Sequence, residues 1–425
     1  MRTALAGGIL LVALLLIVIR PWRVSEGWWA GGGAVLMVLT GAISAGGAAM
    51  AILNEWNLFL FFAGLMVTAA VADMARFFDW AAALATAAGR GSGRRLLFSV
   101  FILGAIVTTF LSNDAAVIIL TPVVYGIVTR LRLRVMPYLF AVSLIANSAS
   151  MTLPISNPIN VLTGDRMHAS LGVYEQHLIL ASLASIAITI AVLMAIFWRT
   201  VGRPFVFDWR AAVASASADR GFFVPVLVAL AGLALAYIVG SALLWPLGVV
   251  AICGAAVLLA IAAARRRLSR AHLKLHVSPA VFFYVAGLFV MVRAAQDAGI
   301  TTALVASATA AAQDAPRAVV SGLLGSAALS NVVNNLPGVL VFISGAQAGG
   351  VAPALRLPFL FGALGGADLG PNLTPVGSLS TMLWLVIVRR RGVEVSAWDF
   401  LRLGAIVAPL TLIAAGLLIA LTFRQ

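Results

Sequence analysis

"LSNDAAVIILTP", Leu111 to Pro122, sets Ser112, Asn113 and Asp114 side by side inside one of the most apolar stretches of the chain. A second stretch, "LSNVVNNLPGVL", Leu329 to Leu340, repeats the Leu-Ser-Asn opening 218 residues later. Polar residues grouped in this way mark places where an apolar helix turns or breaks. There the backbone N–H and C=O groups lose their intrahelical partners and need others.

The surroundings fix the class. Of 425 residues, 62% are hydrophobic and 10% are charged, against about 25% charged in soluble domains. Apolar runs of about 17–25 residues, each long enough to cross a bilayer as a helix, recur throughout. The expected fold is an all-α polytopic membrane protein with about ten transmembrane helices. Two soluble domains would fit the length but not the composition. The first run, Ala4 to Ile19, is followed by Arg20-Pro21-Trp22-Arg23 rather than a small-residue cleavage site, so it is read as a retained helix.

Spans are expected near 4–19, 28–48, 57–75, 136–162, 177–198, 222–240, 244–264, 279–296, 358–388 and 403–422. The net charge of +14 is assigned by its placement to the positive-inside rule rather than to nucleic acid. Loop 199–221 and the loop "RRRLSRAHLKLH" (265–276) are then cytoplasmic, and 22 of the 28 Lys/Arg lie inside. Basic residues before and after 96–129 put both ends of that segment inside, so it enters and returns, with Ser112-Asn113-Asp114 at its turn. Residues 318–346 form a second hairpin, entering from the opposite face, with Ser330-Asn331 at its tip.

Two inverted-topology repeats follow. Residues 1–198 form the first, with a re-entrant hairpin near 96–129 and a broken helix near 136–162. Residues 199–221 form a cytoplasmic linker. Residues 222–425 form the second, with a hairpin near 318–346 and a broken helix near 358–388. "TLPISNPIN" (Thr152 to Asn160) and "LTPVGSLST" (Leu373 to Thr381) match in pattern, and Pro154 and Pro375 lie 221 residues apart. Inverted repeats with discontinuous helices point to a secondary transporter whose site lies at the midplane.

The expected substrate-binding residues are Ser112, Asn113, Ser156, Asn157, Asn160, Ser330, Asn331, Asn334, Asn335, Thr374 and Ser378. Ser and Asn also cap helix ends, and that reading stands beside the functional one. Asp114 and Asp368 differ, because a carboxylate at membrane depth costs about 2.5–3.5 kcal/mol and Ser or Asn could cap without that cost. They are the candidate proton carriers. Asp73, Asp79 and Glu55 lie near span ends and are read as interfacial. The four histidines lie at helix ends or in loops, are read as solvated or interfacial, and show no HExxH-type spacing. The single Cys253 excludes an internal disulfide or a thiolate metal site and is expected to be a small buried hydrophobe. No cofactor, nucleophile–base pair or nucleotide loop is expected, so the chain is not read as an enzyme.

"NDAAVIILTPVV", "ISNPINVL", "NNLPGVLV" and "GADLGPNLTPVGSLSTMLWL" together resemble the arsenite efflux permease (ArsB) family of the ion-transporter superfamily, over nearly the whole chain. Where that family commonly has Cys before the aspartate of its DLGP motif, this chain has Ala367. The resemblance implies proton-driven export of arsenite and antimonite across a bacterial inner membrane. In some members a soluble ATPase subunit adds ATP-driven export. Near neutral pH arsenite is mainly the neutral trihydroxide, which Asn and Ser can bind with donors and acceptors alike. A sodium/proton antiporter or a silicon exporter of the same superfamily is the alternative. A dicarboxylate carrier would need cationic or helix-N-terminal groups, and no Lys or Arg sits in the breaks.

Overall fold

The computed structural model describes residues 2–19 and 24–424; the segment 20–23, read above in place of a cleavage site, lies outside them. The described residues are helical, without a named strand. An isolated bridge joins Ser92 to Pro204.

The chain runs through α1 (Arg2–Ile19), α2 (Glu26–Leu39), α3 (Ala45–Leu53), α4 (Trp56–Met74), α5 (Phe77–Ala88), α6 (Gly93–Phe110), α7 (Asn113–Arg130), α8 (Val135–Ser148), α9 (Pro158–Met167) and α10 (Leu171–Phe197). A short α11 (Trp209–Ala216) lies in the link. Then come α12 (Arg220–Ala242), α13 (Leu247–Ala264), α14 (Arg270–His276), α15 (Pro279–Asp297), α16 (Ile300–Thr309), α17 (Ala315–Val333), α18 (Asn335–Gly345), α19 (Pro353–Leu369), α20 (Leu379–Arg390) and α21 (Ala397–Thr422). Among the described residues, seven helical segments are long and apolar enough to cross a membrane. This is a polytopic helical membrane protein.

Fewer spans are continuous than the hydropathy suggests, and each interruption has a local cause. The expected span 28–48 is two helices, because α2 stops before Gly41 at φ +70° and Ser44 starts α3 by accepting from Gly47 N–H at 3.0 Å. The expected span 136–162 is α8 and α9, joined by a 3-10 turn over Pro154–Ser156. The expected span 358–388 is α19 and α20, with a 3-10 turn over Gly370–Asn372. Pro154, Pro158, Pro371 and Pro375 lack an N–H to continue the ladder.

The helix pairs α6–α7 and α17–α18 turn at polar residues, and the second turn is displaced from its expected place. α17 runs on through Ser330 and Asn331 to Val333, and the turn is made by Asn334 at φ 84°, ψ 156°. A non-glycine residue held at such a φ costs of order 1–3 kcal/mol. Asn334 is held there by accepting from Leu336 N–H at 3.4 Å and donating to the Val376 carbonyl at 3.3 Å.

The packing crosses between the two runs of helices. α4 packs on α13, α15 on α2, and α10 on α21. Backbones touch at both of the first two contacts: a Cβ added to Gly64 would overlap Ala251, and one added to Gly287 would overlap Ala30. Small residues that allow helix backbones to approach are the usual interface in a membrane, where no hydrophobic force separates helix from lipid. Three expectations are corrected here. Cys253 on α13 is exposed rather than buried. Glu55 is 6% exposed and paired with Arg166. His177 is buried, stacked on Phe423 at 4.0 Å and hydrogen-bonded to Thr422 at 2.7 Å. Asp79 is half-buried and paired with Arg76 at 3.0 Å.

Candidate functional site

Four helices begin at polar residues predicted from the sequence, and each is capped by one. Ser112 Oγ accepts from Ala115 N–H at 3.1 Å, opening α7. Asn157 Oδ1 accepts from Ile159 N–H at 3.3 Å, opening α9. Asn334 opens α18, and Ser378 Oγ accepts from Thr381 N–H at 3.1 Å, opening α20. The capping role is therefore real. It does not exhaust these side chains, because capping uses the acceptor and leaves the donor free.

Those donors cross between the broken helices. Asn157 Nδ2 donates to Asp368 Oδ1 at 2.7 Å, and Ser150 Oγ donates to the same oxygen at 2.6 Å. In the opposite sense, Ser378 Oγ donates to Asn147 Oδ1 at 3.2 Å. Asn147 also accepts from Ser380 Oγ at 3.3 Å and donates to Thr381 Oγ1 at 3.0 Å and to Asn372 Oδ1 at 3.2 Å. Asn372 in turn donates to Ser148 Oγ at 2.9 Å. Asp368 and Asn147 are each 1% exposed. They hold the same place, at or next to the last turn before a break, and each meets the cap of the opposite broken helix. Asn147 has partners for both side-chain atoms, whereas Asp368 Oδ2 has none among the described residues.

A small cavity of about 20 Å³ lies where the four helix starts meet, lined by Asn113, Asp114, Asn157, Asn335 and Leu379, with walls from Phe62 and Tyr284. Helix N-termini carry partial positive charge and unpaired N–H groups, which suit oxygen-bearing solutes. Asp114 lies in the first turn of α7, and its carboxylate has no hydrogen-bond partner among the described residues. Asn335 likewise offers both side-chain atoms. Asn113 Nδ2 donates to Ser380 Oγ at 3.3 Å.

The remaining predicted residues are spread more widely. Asn331 Nδ2 donates to the Gly370 carbonyl at 2.8 Å, and its Oδ1 accepts from Thr374 at 2.8 Å, tying the α17–α18 pair to the second break. Ser156 Oγ donates to the Thr109 carbonyl at 3.0 Å, tying the first break to α6. Ser330 is buried with no partner for its hydroxyl among the described residues. Asn160 donates to the Ser150 carbonyl at 2.6 Å and borders a separate cavity of about 280 Å³ with Asn57, Asp165 and His168. Sequence reasoning missed Asn147, Ser150, Asn372, Ser380 and Thr381. The usable signal was the 221-residue offset, which carries Pro154 to Pro375 and equally carries Asn147 to Asp368.

Two broken helices thus cross at a buried acid, and comparison with known proteins supplies the family. Residues 5–422 match the family model described as arsenical pump membrane protein. This chain belongs to that family. Curated arsenical pump membrane proteins of Yersinia enterocolitica and Escherichia coli K12 are 29% and 28% identical over 410 residues, with 95% of each chain covered. An uncharacterized transporter of Mycobacterium tuberculosis is 27% identical over 381 residues, covering 87% of this chain and 86% of that one. Among solved structures, the Alcanivorax borkumensis YdaH transporter matches with a TM-score of 0.53 at 15% identity, covering 99% of this chain and 98% of that one. Neisseria gonorrhoeae MtrF, described as illuminating a class of antimetabolite efflux pumps, matches with a TM-score of 0.53 at 12% identity, covering 99% and 94%. At those identities the likeness is one of fold. The arsenical pump assignment rests on the sequence relatives, and it makes the chain a membrane transporter.

Proposed function

We propose that this protein is a secondary transporter that exports arsenite and antimonite as neutral trihydroxides across the inner membrane, driven by proton antiport. Family membership supports the substrate. The observation that carries the coupling is Asp368, an acid buried where the two broken helices cross, with one oxygen held by Asn157 and Ser150 and the other unpartnered. Such a group can take and release a proton as its surroundings change sides. Asp114, facing the cavity, is the second proton carrier. The hydroxyls of the solute would donate to Asn and Asp oxygens, and its oxygens would accept from Asn335 and the helix starts.

The proposed architecture is a duplicated, inverted pair of repeats, 1–198 and 222–425, joined by a cytoplasmic linker at 199–221. Equivalent places lie 221 to 223 residues apart. The caps Ser112 and Asn334, the crossing residues Asn147 and Asp368, the caps Asn157 and Ser378, and the close contacts Gly64–Ala251 and Gly287–Ala30 all obey this offset. The displaced second turn brings the hairpins into the same register as the breaks. In this reading α6–α7 and α17–α18 are the re-entrant hairpins, and alternating access rocks one set of elements against the other. The loop 265–276 faces the cytoplasm. Where a soluble ATPase subunit is present, it would dock on that side.

The four helix starts also meet the requirement for an anion that Lys and Arg leave unmet in the breaks, so a dicarboxylate enters the test as a competitor. The experiment is arsenite uptake into everted vesicles with and without an imposed pH gradient, in sodium-free and sodium-containing buffer. Uptake that collapses with the pH gradient and ignores sodium supports the reading. Uptake that follows sodium, or that a dicarboxylate or silicic acid suppresses while arsenite itself is not accumulated, overturns it.

A further inference from the structure

The short helix α14 carries His272 and His276 four residues apart, and therefore on one face. It packs against α4, whose last turn carries Asp73. His272 Nε2 lies 2.7 Å from Asp73 Oδ2, and His276 Nε2 lies 3.5 Å from the same oxygen. The two imidazole rings stack at 4.9 Å. The three candidate ligand atoms all lie within 4.8 Å of one another.

The hydrogen bonding of His276 makes this more than a cluster. Its Nδ1 lies 3.1 Å from the His272 carbonyl oxygen, which can only accept. Nδ1 therefore carries the proton, and in the neutral ring Nε2 presents a lone pair. That lone pair faces a carboxylate oxygen that also presents lone pairs. A cation between them resolves the conflict. Donation of the remote ring N–H to a backbone carbonyl is also the usual way a metal-binding histidine is held in the right tautomer.

We propose that Asp73, His272 and His276 form a binding site for a divalent transition metal of the zinc class, clamping α14 to the end of α4. Two imidazoles and a carboxylate are ligands that suit zinc, with a fourth position left for water. The site has a way in from solvent: His272 and Asp73 side chains are 34% and 31% exposed, while that of His276, at 9%, is shielded. Arg270 and Lys274 on the same helix are exposed, where solvent and salt screen their repulsion of a cation. This site is separate from the transport site and does not depend on what is transported.

The test is zinc titration of the purified full-length protein in detergent, followed by competition with a chromophoric chelator, and cobalt substitution read by visible absorption. One tightly held zinc per chain and the intense bands of four-coordinate cobalt are expected. Even the outer partners of metal ligands are worth about 10–100-fold in affinity, so His276→Gln and Asp73→Asn should each weaken zinc by at least about tenfold. Both variants are compared at an unchanged size-exclusion profile, and zinc should raise the thermal midpoint of the unaltered protein but not of either variant. No stoichiometric zinc, six-coordinate cobalt, or binding unchanged in both variants would overturn the proposal and leave the pair closed by a proton on His276.

Discussion

The two places where the broken helices cross differ in one respect. At the first, Asn147 meets the cap Ser378 and its neighbours, and both of its side-chain atoms are satisfied. At the second, Asp368 meets the cap Asn157, and one of its carboxylate oxygens is left over. The elements, the burial and the opposing cap are alike. A neutral amide with all its bonds made is a fastener, because breaking it leaves several buried groups unpaired. An acid with a spare oxygen is a group whose bonding can change. In the proposed mechanism the first crossing holds and the second exchanges the proton.

The largest expected effect separates the two roles. Asp368→Asn keeps size and hydrogen-bonding capacity but cannot titrate. It should abolish pH-gradient-driven arsenite efflux while changing the thermal midpoint little. Vesicle transport and a thermal melt on the same purified variant check this, and pumping against a gradient with unchanged pH dependence would break the comparison. Asn147→Ala should show the opposite pattern. It strips one partner each from Ser378, Ser380, Thr381 and Asn372; the three hydroxyls keep bonds to one another, while Asn372 Oδ1 loses its donor, and a buried polar group left unpaired costs about 1–3 kcal/mol. A clearly lower thermal midpoint is expected, with the pH dependence of the surviving transport intact. If Asn147→Ala instead uncouples transport without destabilising the fold, both crossings are parts of one proton path.

Smaller effects sharpen the picture. The Asn335 side chain lines the cavity and has no hydrogen-bond partner among the described residues, so Asn335→Ala removes no internal side-chain bond. A hydrogen bond to a solute is worth about 0.5–1.5 kcal/mol net, which predicts roughly two- to tenfold weaker arsenite binding. Equilibrium binding that is unchanged would show that the helix starts merely cap. The smallest effect is expected at Cys253, which is exposed on α13 far along the chain from every break. Cys253→Ala should transport normally; loss of transport at normal expression would point to thiol chemistry that the hydrogen-bonded site does not contain.

The histidines show how legibility in the sequence can fail. His272 and His276 are four apart in the sequence, yet a pair alone has no ligand set. Asp73 lies 199 residues before His272, and only the packing of α14 on α4 brings it there. Asn147 was missed for a related reason. It stands in an α-helix, and an amide in a helical run reads as unremarkable until the crossing supplies four partners from the other broken helix.

The sequence by itself determined the class and, to within one turn of helix, where the four polar breaks fall. Lipid leaves a backbone no partner but itself, so long apolar runs must be helices, and Ser, Asn and Pro inside them must mark where the helices stop. Of the expected caps, Ser112 was legible because capping is a local bond, made within three residues; Ser330 and Asn331 lie inside α17, and Asn334 caps in their place. Tertiary structure alone decided what the donors of those same side chains do. It moved the second turn from Ser330-Asn331 to Asn334, where α17 gains a further turn of helix before the chain reverses. It set Asp368 against Asn157 and Asn147 against Ser378, contacts between residues more than 200 positions apart. No local rule reaches across that distance; it takes the packing of helices far apart in the chain, as of α4 on α13 and of α2 on α15.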